Sequence, residues 1–173
     1  MATTAFSHVT LEKPNVQAAS YTKAVLKVGH GCERLPTAAL KVQIPDGFMG
    51  AKPMPKTGWT LAIERVKLAK PYDKHGKSVT EDVAVITWTA NAPEQYLADD
   101  QYDEFTLQGR TPDAIGPLWF KVLQSCKDSK DASKTGKNDW SEVPASGTST
   151  KGLKSPAALM DVKAANPDSG HKH

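Results

Sequence analysis

What most constrains this chain is the brevity and the period of its apolar runs. Apolar side chains recur at every second position in short stretches: Ala24, Leu26 and Val28 within Tyr21–Val28; Leu40, Val42 and Ile44; Trp59, Leu61 and Ile63; Ala84, Ile86 and Trp88; Phe105 and Leu107; Leu118, Phe120 and Val122. That period lays the side chains on one face of a strand, where a helix would need wider spacing. Val66 and Leu68 continue the Trp59–Ile63 pattern out of phase, which predicts a bulge near Arg65. Val85 and Thr87, interleaved with Ala84, Ile86 and Trp88, predict a strand buried on both faces. Further short strands are expected near Val9–Leu11, Trp140–Val143 and Leu159–Val162.

Turn formers separate these runs: Pro14, Gly29, Gly31, Pro45-Asp46-Gly47, the Lys52–Gly58 stretch, Asp73–Gly76, Asn91-Ala92-Pro93, Pro112 and Gly116-Pro117. No long window carries helical periodicity, and Pro93–Asp100 offers a turn or two at most. About eight or nine short strands with this punctuation predict an all-β fold, an antiparallel Greek-key (immunoglobulin-like) β-sandwich, with a closed barrel as the alternative. The polar stretches Lys127–Asn138 and Ala145–Ser155 bury little apolar surface and are expected to be loosely held. Ala164–His173 reads as a flexible tail.

Composition narrows the function classes. The chain has 173 residues, 22 basic and 19 acidic, for a net charge of +3. Its lysines are scattered, without the basic stripe and interleaved aromatics of a nucleic-acid binder. No apolar run approaches the ~18–20 residues of a membrane-spanning helix. Cys32 and Cys126 would be free thiols in a reducing cytosol and able to pair in an oxidising compartment. Met1–Ser7 lacks the charge and apolar core of a complete signal peptide. Yet Ala5-Phe6-Ser7 places small residues where signal peptidase reads, so the segment reads as the stump of an export signal, with cleavage leaving His8 first.

Metal-free catalysis finds no support. There is no Gly-x-Ser-x-Gly elbow and no phosphate-cradling glycine loop. The carboxylate pairs Asp99-Asp100 and Asp103-Glu104 read as solvated loop charges. Of the histidines, His75 sits in a Lys-His-Gly-Lys hairpin tip, and His171 and His173 lie in the tail. His8 and His30 are the candidates. A histidine at a free N-terminus offers its amine and its Nδ1 to one metal, a nitrogen pair suited to Cu(II). His30 lies in Gly29-His30-Gly31-Cys32-Glu33, where the glycines allow close approach and Glu33 could add an oxygen ligand. On the residues alone, a histidine in a glycine-rich turn is more often a surface residue than a ligand.

Several segments together resemble the YcnI-like copper-binding proteins. They are His8-Val9-Thr10-Leu11-Glu12; Gly29–Glu33; Leu40-Lys41-Val42-Gln43-Ile44-Pro45-Asp46-Gly47; and Lys52-Pro53-Met54-Pro55-Lys56-Thr57-Gly58-Trp59. The Gln101–Leu107 strand, Gln124-Ser125-Cys126 and Asp139-Trp140-Ser141-Glu142-Val143-Pro144 continue the match, which spans residues 8–162. The resemblance implies an exported β-sandwich over residues 8–163. It implies copper held by the amine and side chain of His8 with the Glu33 carboxylate, and Trp140 beside the metal. His30 would be a further ligand or a lining residue, because Gly-His-Gly-Cys stands where simpler relatives carry Pro-x-Glu. Export implies that Cys32 and Cys126 pair and tie two walls of the site. In the chain-entropy picture a loop of ~95 residues so closed is worth ~4–5 kcal/mol.

The expected function is therefore a periplasmic or secreted protein of copper homeostasis. It would bind Cu(II), or Cu(I) during transfer, as a chaperone, store or supplier to a copper transporter or another periplasmic chaperone. It is expected neither to bind nucleic acid nor to be an enzyme. Met49 and Met54 precede Trp59 and could touch Cu(I), though packing is the plainer reading. The rival readings are a copper-dependent oxidative enzyme of the polysaccharide monooxygenase type, with His30 completing a brace, and a metal-free extracellular interaction module.

Overall fold

The computed structural model describes residues 8–167. Eleven strands follow one another: β1 Thr10–Leu11, β2 Asn15–Gln17, β3 Tyr21–Val28, β4 Thr37–Gln43, β5 Met49–Pro53, β6 Trp59–Lys74, β7 Lys77–Ala90, β8 Asp103–Arg110, β9 Gly116–Lys127, β10 Thr135–Trp140 and β11 Ala158–Lys163. They form two sheets, one in the order β1-β3-β8-β5, the other β2-β11-β9-β4-β7-β6 with β10 also paired to β9. The β-sandwich expectation holds. The pairing is antiparallel except between β2 and β11, which run parallel through Asp161↔Asn15 to Lys163↔Gln17.

The count exceeds the nine predicted strands because no alternation announces β2 or β5. β2 is three residues long, and β5 reads Met-Gly-Ala-Lys-Pro. Backbone pairing, not a side-chain pattern, makes them strands. The irregularity predicted near Arg65 lies between Glu64 and Arg65, which pair with Val85 and Val83. The extra residue is Ala84, so the bulge belongs to β7. Val85 and Thr87 are half-buried, so one face of β7 is less covered than expected. The Pro93–Asp100 stretch contains only a 3₁₀ turn over Pro93–Gln95.

The core lies between the sheets. Leu26, Leu40, Val42, Ile86, Trp88, Phe105, Leu107, Phe120, Val122 and Met160 are all essentially inaccessible. Aromatic edges meet faces within it: Trp59 and Trp88 lie 5.2 and 5.7 Å from Phe105, and Phe48 lies 5.4 Å from Phe120. Such tilted contacts add to area burial. Trp88 donates its indole N–H to Met54 O at 3.1 Å, so its polar end is satisfied. Trp119 is only half-buried, because it alternates with the inward-facing Phe120 on β9.

Both polar stretches are better held than their composition predicts. After β9 the chain turns around Asp128, whose carboxylate accepts the N–H groups of Lys130 and Asp131, each at 2.8 Å. It then returns as β10, pairing Thr135↔Lys127 through Trp140↔Val122. The strand expected at Trp140–Val143 thus ends at Trp140. In the second stretch Glu142 Oε2 accepts the N–H groups of Lys154 and Ser155 at 2.8 and 3.0 Å, and Ala157 N–H donates to Glu142 O at 2.8 Å. Side chains that satisfy backbone groups order a loop without an apolar face. The expected signal stump, Met1–Ser7, and the tail from Asp168, including His171 and His173, lie outside the described residues. Ala164–Pro167 are exposed. Among the described residues no helix is long and apolar enough to cross a membrane.

Candidate metal centre

The site is built on the segment linking β3 to β4. Cys32 and Leu35 exchange backbone hydrogen bonds, Cys32 N–H to Leu35 O at 3.1 Å and Leu35 N–H to Cys32 O at 2.8 Å. Between them Glu33 and Arg34 both adopt positive φ, 47° and 70°. That is the mirror-image two-residue turn, at which glycine or asparagine would be easier. Gly31 is obligatory: a Cβ there would lie 1.8 Å from Leu35 O. Its N–H donates to Asp99 Oδ1 at 2.9 Å, tying this loop to the one after the 3₁₀ turn. A Cys32–Cys126 disulfide, with Cα atoms 5.8 Å apart, staples the turn to the end of β9.

These constraints present His30 at a cavity. Its Nδ1 lies 2.6 Å from Gly31 O. A carbonyl can only accept, so Nδ1 carries the proton and the neutral ring has Nε2 free. A metal-binding imidazole is commonly oriented in this way. His8 comes from the other direction. It is half-buried and leads into β1, where Val9 and Leu11 are 2% and 5% exposed and Thr10 pairs with Lys27. Trp140, at the end of β10, stands between the two: its ring centroid lies 5.5 Å from that of His8 and 6.0 Å from that of His30.

The cavity they border has a volume of about 1030 Å3. Glu33 and Asp99 supply carboxylates to its wall, Arg34 and Lys154 cations, and Gly152–Ser155 close one side. Trp140 is buried and donates its indole N–H to Gln124 Oε1 at 3.0 Å, so the ring offers a π-face, not a nitrogen lone pair. Gln124 is itself inaccessible and also bonds His30 O, Thr37 Oγ1 and Asn138 Nδ2.

The structure brings His8 and Trp140, from distant parts of the sequence, to the His30–Glu33 loop, with the Cys32–Cys126 cystine stapling that loop. Methionines are not among the cavity's lining residues. Met49 and His75 line a separate groove of about 490 Å3, and Met54 is 61% exposed elsewhere. Three further residues of the site are not evident from the sequence. Asp99 reads there as a solvated charge, and nothing in its neighbours reveals that it meets Gly31. Asn138 falls in a stretch expected to be loose. Gln124 does leave a signal: it falls in phase with Phe120 and Val122, an amide at an inward position of a core strand. Among the described residues no three His, Cys, Asp or Glu side chains converge into a ready metal cage.

A search of curated proteins found no match. Among solved structures, the fold is similar to that of an uncharacterized protein from Nocardia farcinica, whose crystal structure is described as an immunoglobulin-like fold. The TM-score is 0.64 at 21% identity, and the alignment covers 91% of this chain and 99% of that one. At that identity the likeness speaks for the fold alone. The model of one family, described as a domain of unknown function (DUF1775), matches residues 8–162, from the candidate histidine to the last core strand. The chain therefore belongs to the DUF1775 family, the YcnI-like family that its histidine, glycine-loop and tryptophan motifs resemble.

Proposed function

We propose that this protein binds one copper ion at the His8–His30–Trp140 cavity and carries it in a periplasmic or secreted setting, as a chaperone, store or supplier to a copper transporter or another chaperone. One observation carries the reading: two imidazoles from distant parts of the chain flank the same indole, at 5.5 and 6.0 Å, in one open cavity. Two imidazoles and an amine form a nitrogen donor set suited to Cu(II). The cystine is in keeping with an oxidising compartment.

In this reading His8 contributes its Nδ1 and, once the bond preceding it is cut, its amine; His30 contributes Nε2. Of the two carboxylates, Asp99 is the better placed. It is half-buried with Oδ1 already fixed by Gly31 N–H, whereas Glu33 is exposed at the tip of its turn. Trp140 shields one face. Few ligands and an open mouth favour handing the ion on by ligand exchange over holding it for turnover.

A Cu(II) titration with electron paramagnetic resonance tests this, on protein beginning at His8 and on the chain with Met1–Ser7 attached. The expected result is one tight copper with nitrogen hyperfine structure in the shortened form alone, weakening at low pH as the amine protonates. Equal binding by both forms would refute the amine ligand. No tight copper in either would refute the reading, and peroxide-dependent oxidation of a glycan would move the protein to the enzymes.

A further inference from the structure

An amide buried in a core strand is costly unless each of its hydrogen-bonding groups is used. Gln124 uses all of them. Nε2 donates to His30 O at 2.7 Å and to Thr37 Oγ1 at 2.8 Å. Oε1 accepts from Trp140 Nε1 at 3.0 Å and from Asn138 Nδ2 at 3.2 Å. Its orientation is not arbitrary. An indole N–H can only donate and a peptide carbonyl can only accept, so turning the amide over would set donor against donor and oxygen against oxygen. The four partners belong to three walls: the loop after β3, the start of β4, and β10.

We infer that Gln124 is the positioning residue of this site. One rigid planar amide holds the Trp140 ring at its oxygen end and the His30 backbone at its nitrogen end. One amide thereby sets the spacing between the Trp140 indole nitrogen and the His30 carbonyl, from which the imidazole projects. The cystine, two residues further along β9, restrains the same loop from its other side, but it does not join His30 and Trp140 through a single group. This inference rests on the copper reading for its consequence, that Gln124 sets the geometry of the bound ion. The positioning itself is a property of the copper-free chain.

The test uses Gln124→Met and Gln124→Glu. Methionine fills the space and can hold neither partner. The carboxyl of Gln124→Glu still accepts from Trp140 but has no N–H for His30. In copper-free protein, exchange protection of the Trp140 indole proton is followed by nuclear magnetic resonance. We expect about a tenfold loss or more in Gln124→Met, with protection returning in Gln124→Glu. On copper loading both variants should show shifted Cu(II) resonance parameters, because both release His30. Native indole protection in the methionine variant would overturn the inference, as would native copper parameters in either variant. If Gln124→Met does not fold, Gln124→Glu decides by the same spectra. If even the native protein binds no copper, the copper reading falls, and indole protection still decides the role of Gln124.

Discussion

The two ends of β3 and β8 make an informative contrast. At the Val28↔Asp103 end the chain leads to His30; at the Tyr21↔Arg110 end it opens onto the smaller groove with His75. Both ends carry a histidine, carboxylates, cations and aromatic rings. They differ in what holds those groups. At the first end a buried Gln124 and the half-buried Asn138 and Asp99 interlock through hydrogen bonds, and a cystine staples the loop. At the second, Tyr21 is 70% exposed, and Arg110 meets Asp113 in a surface ion pair of 3.1 Å, a kind of contact worth little. His75 occupies the tip of the β6–β7 hairpin, in a positive-φ conformation with Gly76. A histidine becomes a site where its surroundings fix it, and composition does not distinguish the two ends.

Breaking the restraints at the first end should therefore cost most. Replacing Cys32 and Cys126 with alanine should lower stability by ~2–5 kcal/mol, read by denaturant unfolding, and abolish tight copper binding. His8→Ala, in protein beginning at residue 8, should weaken Cu(II) by more than the ~10–100-fold that loss of an outer partner costs. Asp99→Asn should cost ~10–100-fold, and Glu33→Gln measurably less; the reverse order would return the carboxylate role to Glu33. At the second end, His75→Ala should leave the copper titration unchanged, and a loss there would erase the contrast.

The smallest effect concerns pH at that second end. Partial burial and the hydrogen bond to Asp82 push the Tyr72 phenol up to about 12. A neutral acid whose pKa is raised on folding adds stability that is fully present below the unfolded value of ~10 and is lost as pH rises through the folded one. Phenolate absorbance compared between the native chain and Tyr72→Phe should show the loss of one late-ionising phenol, with the copper titration unchanged.

The sandwich is legible in the sequence because six of its strands announce themselves by alternation, from Tyr21–Val28 to Leu118–Val122, and three more as short segments near Val9–Leu11, Trp140–Val143 and Leu159–Val162. β2 and β5 stay hidden, since they exist because a neighbour offers them backbone partners. The same division runs through the site. His8, His30, Trp140 and the cysteines stand out because few residue types can do what they do, and because the motifs around them resemble a family. Asp99 and Asn138 do not, since an aspartate or asparagine in a polar stretch looks alike whether it faces water or a glycine N–H. Gln124 lies between, visible as a misfit in its strand but not as the partner of Trp140. The Ala145–Ser155 stretch looks loose for a related reason: Glu142, outside it, does the ordering.

The anchoring of β1 has a consequence of its own. His8 is held through its C-terminal neighbours: Val9 and Leu11 sink into the core, and Thr10 pairs with Lys27. Cutting the bond before His8 would leave the imidazole where it stands while converting one amide nitrogen into a basic amine. On the copper reading, maturation would arm the protein without reshaping it. If so, cleavage, and not any change of fold, would switch metal capture on.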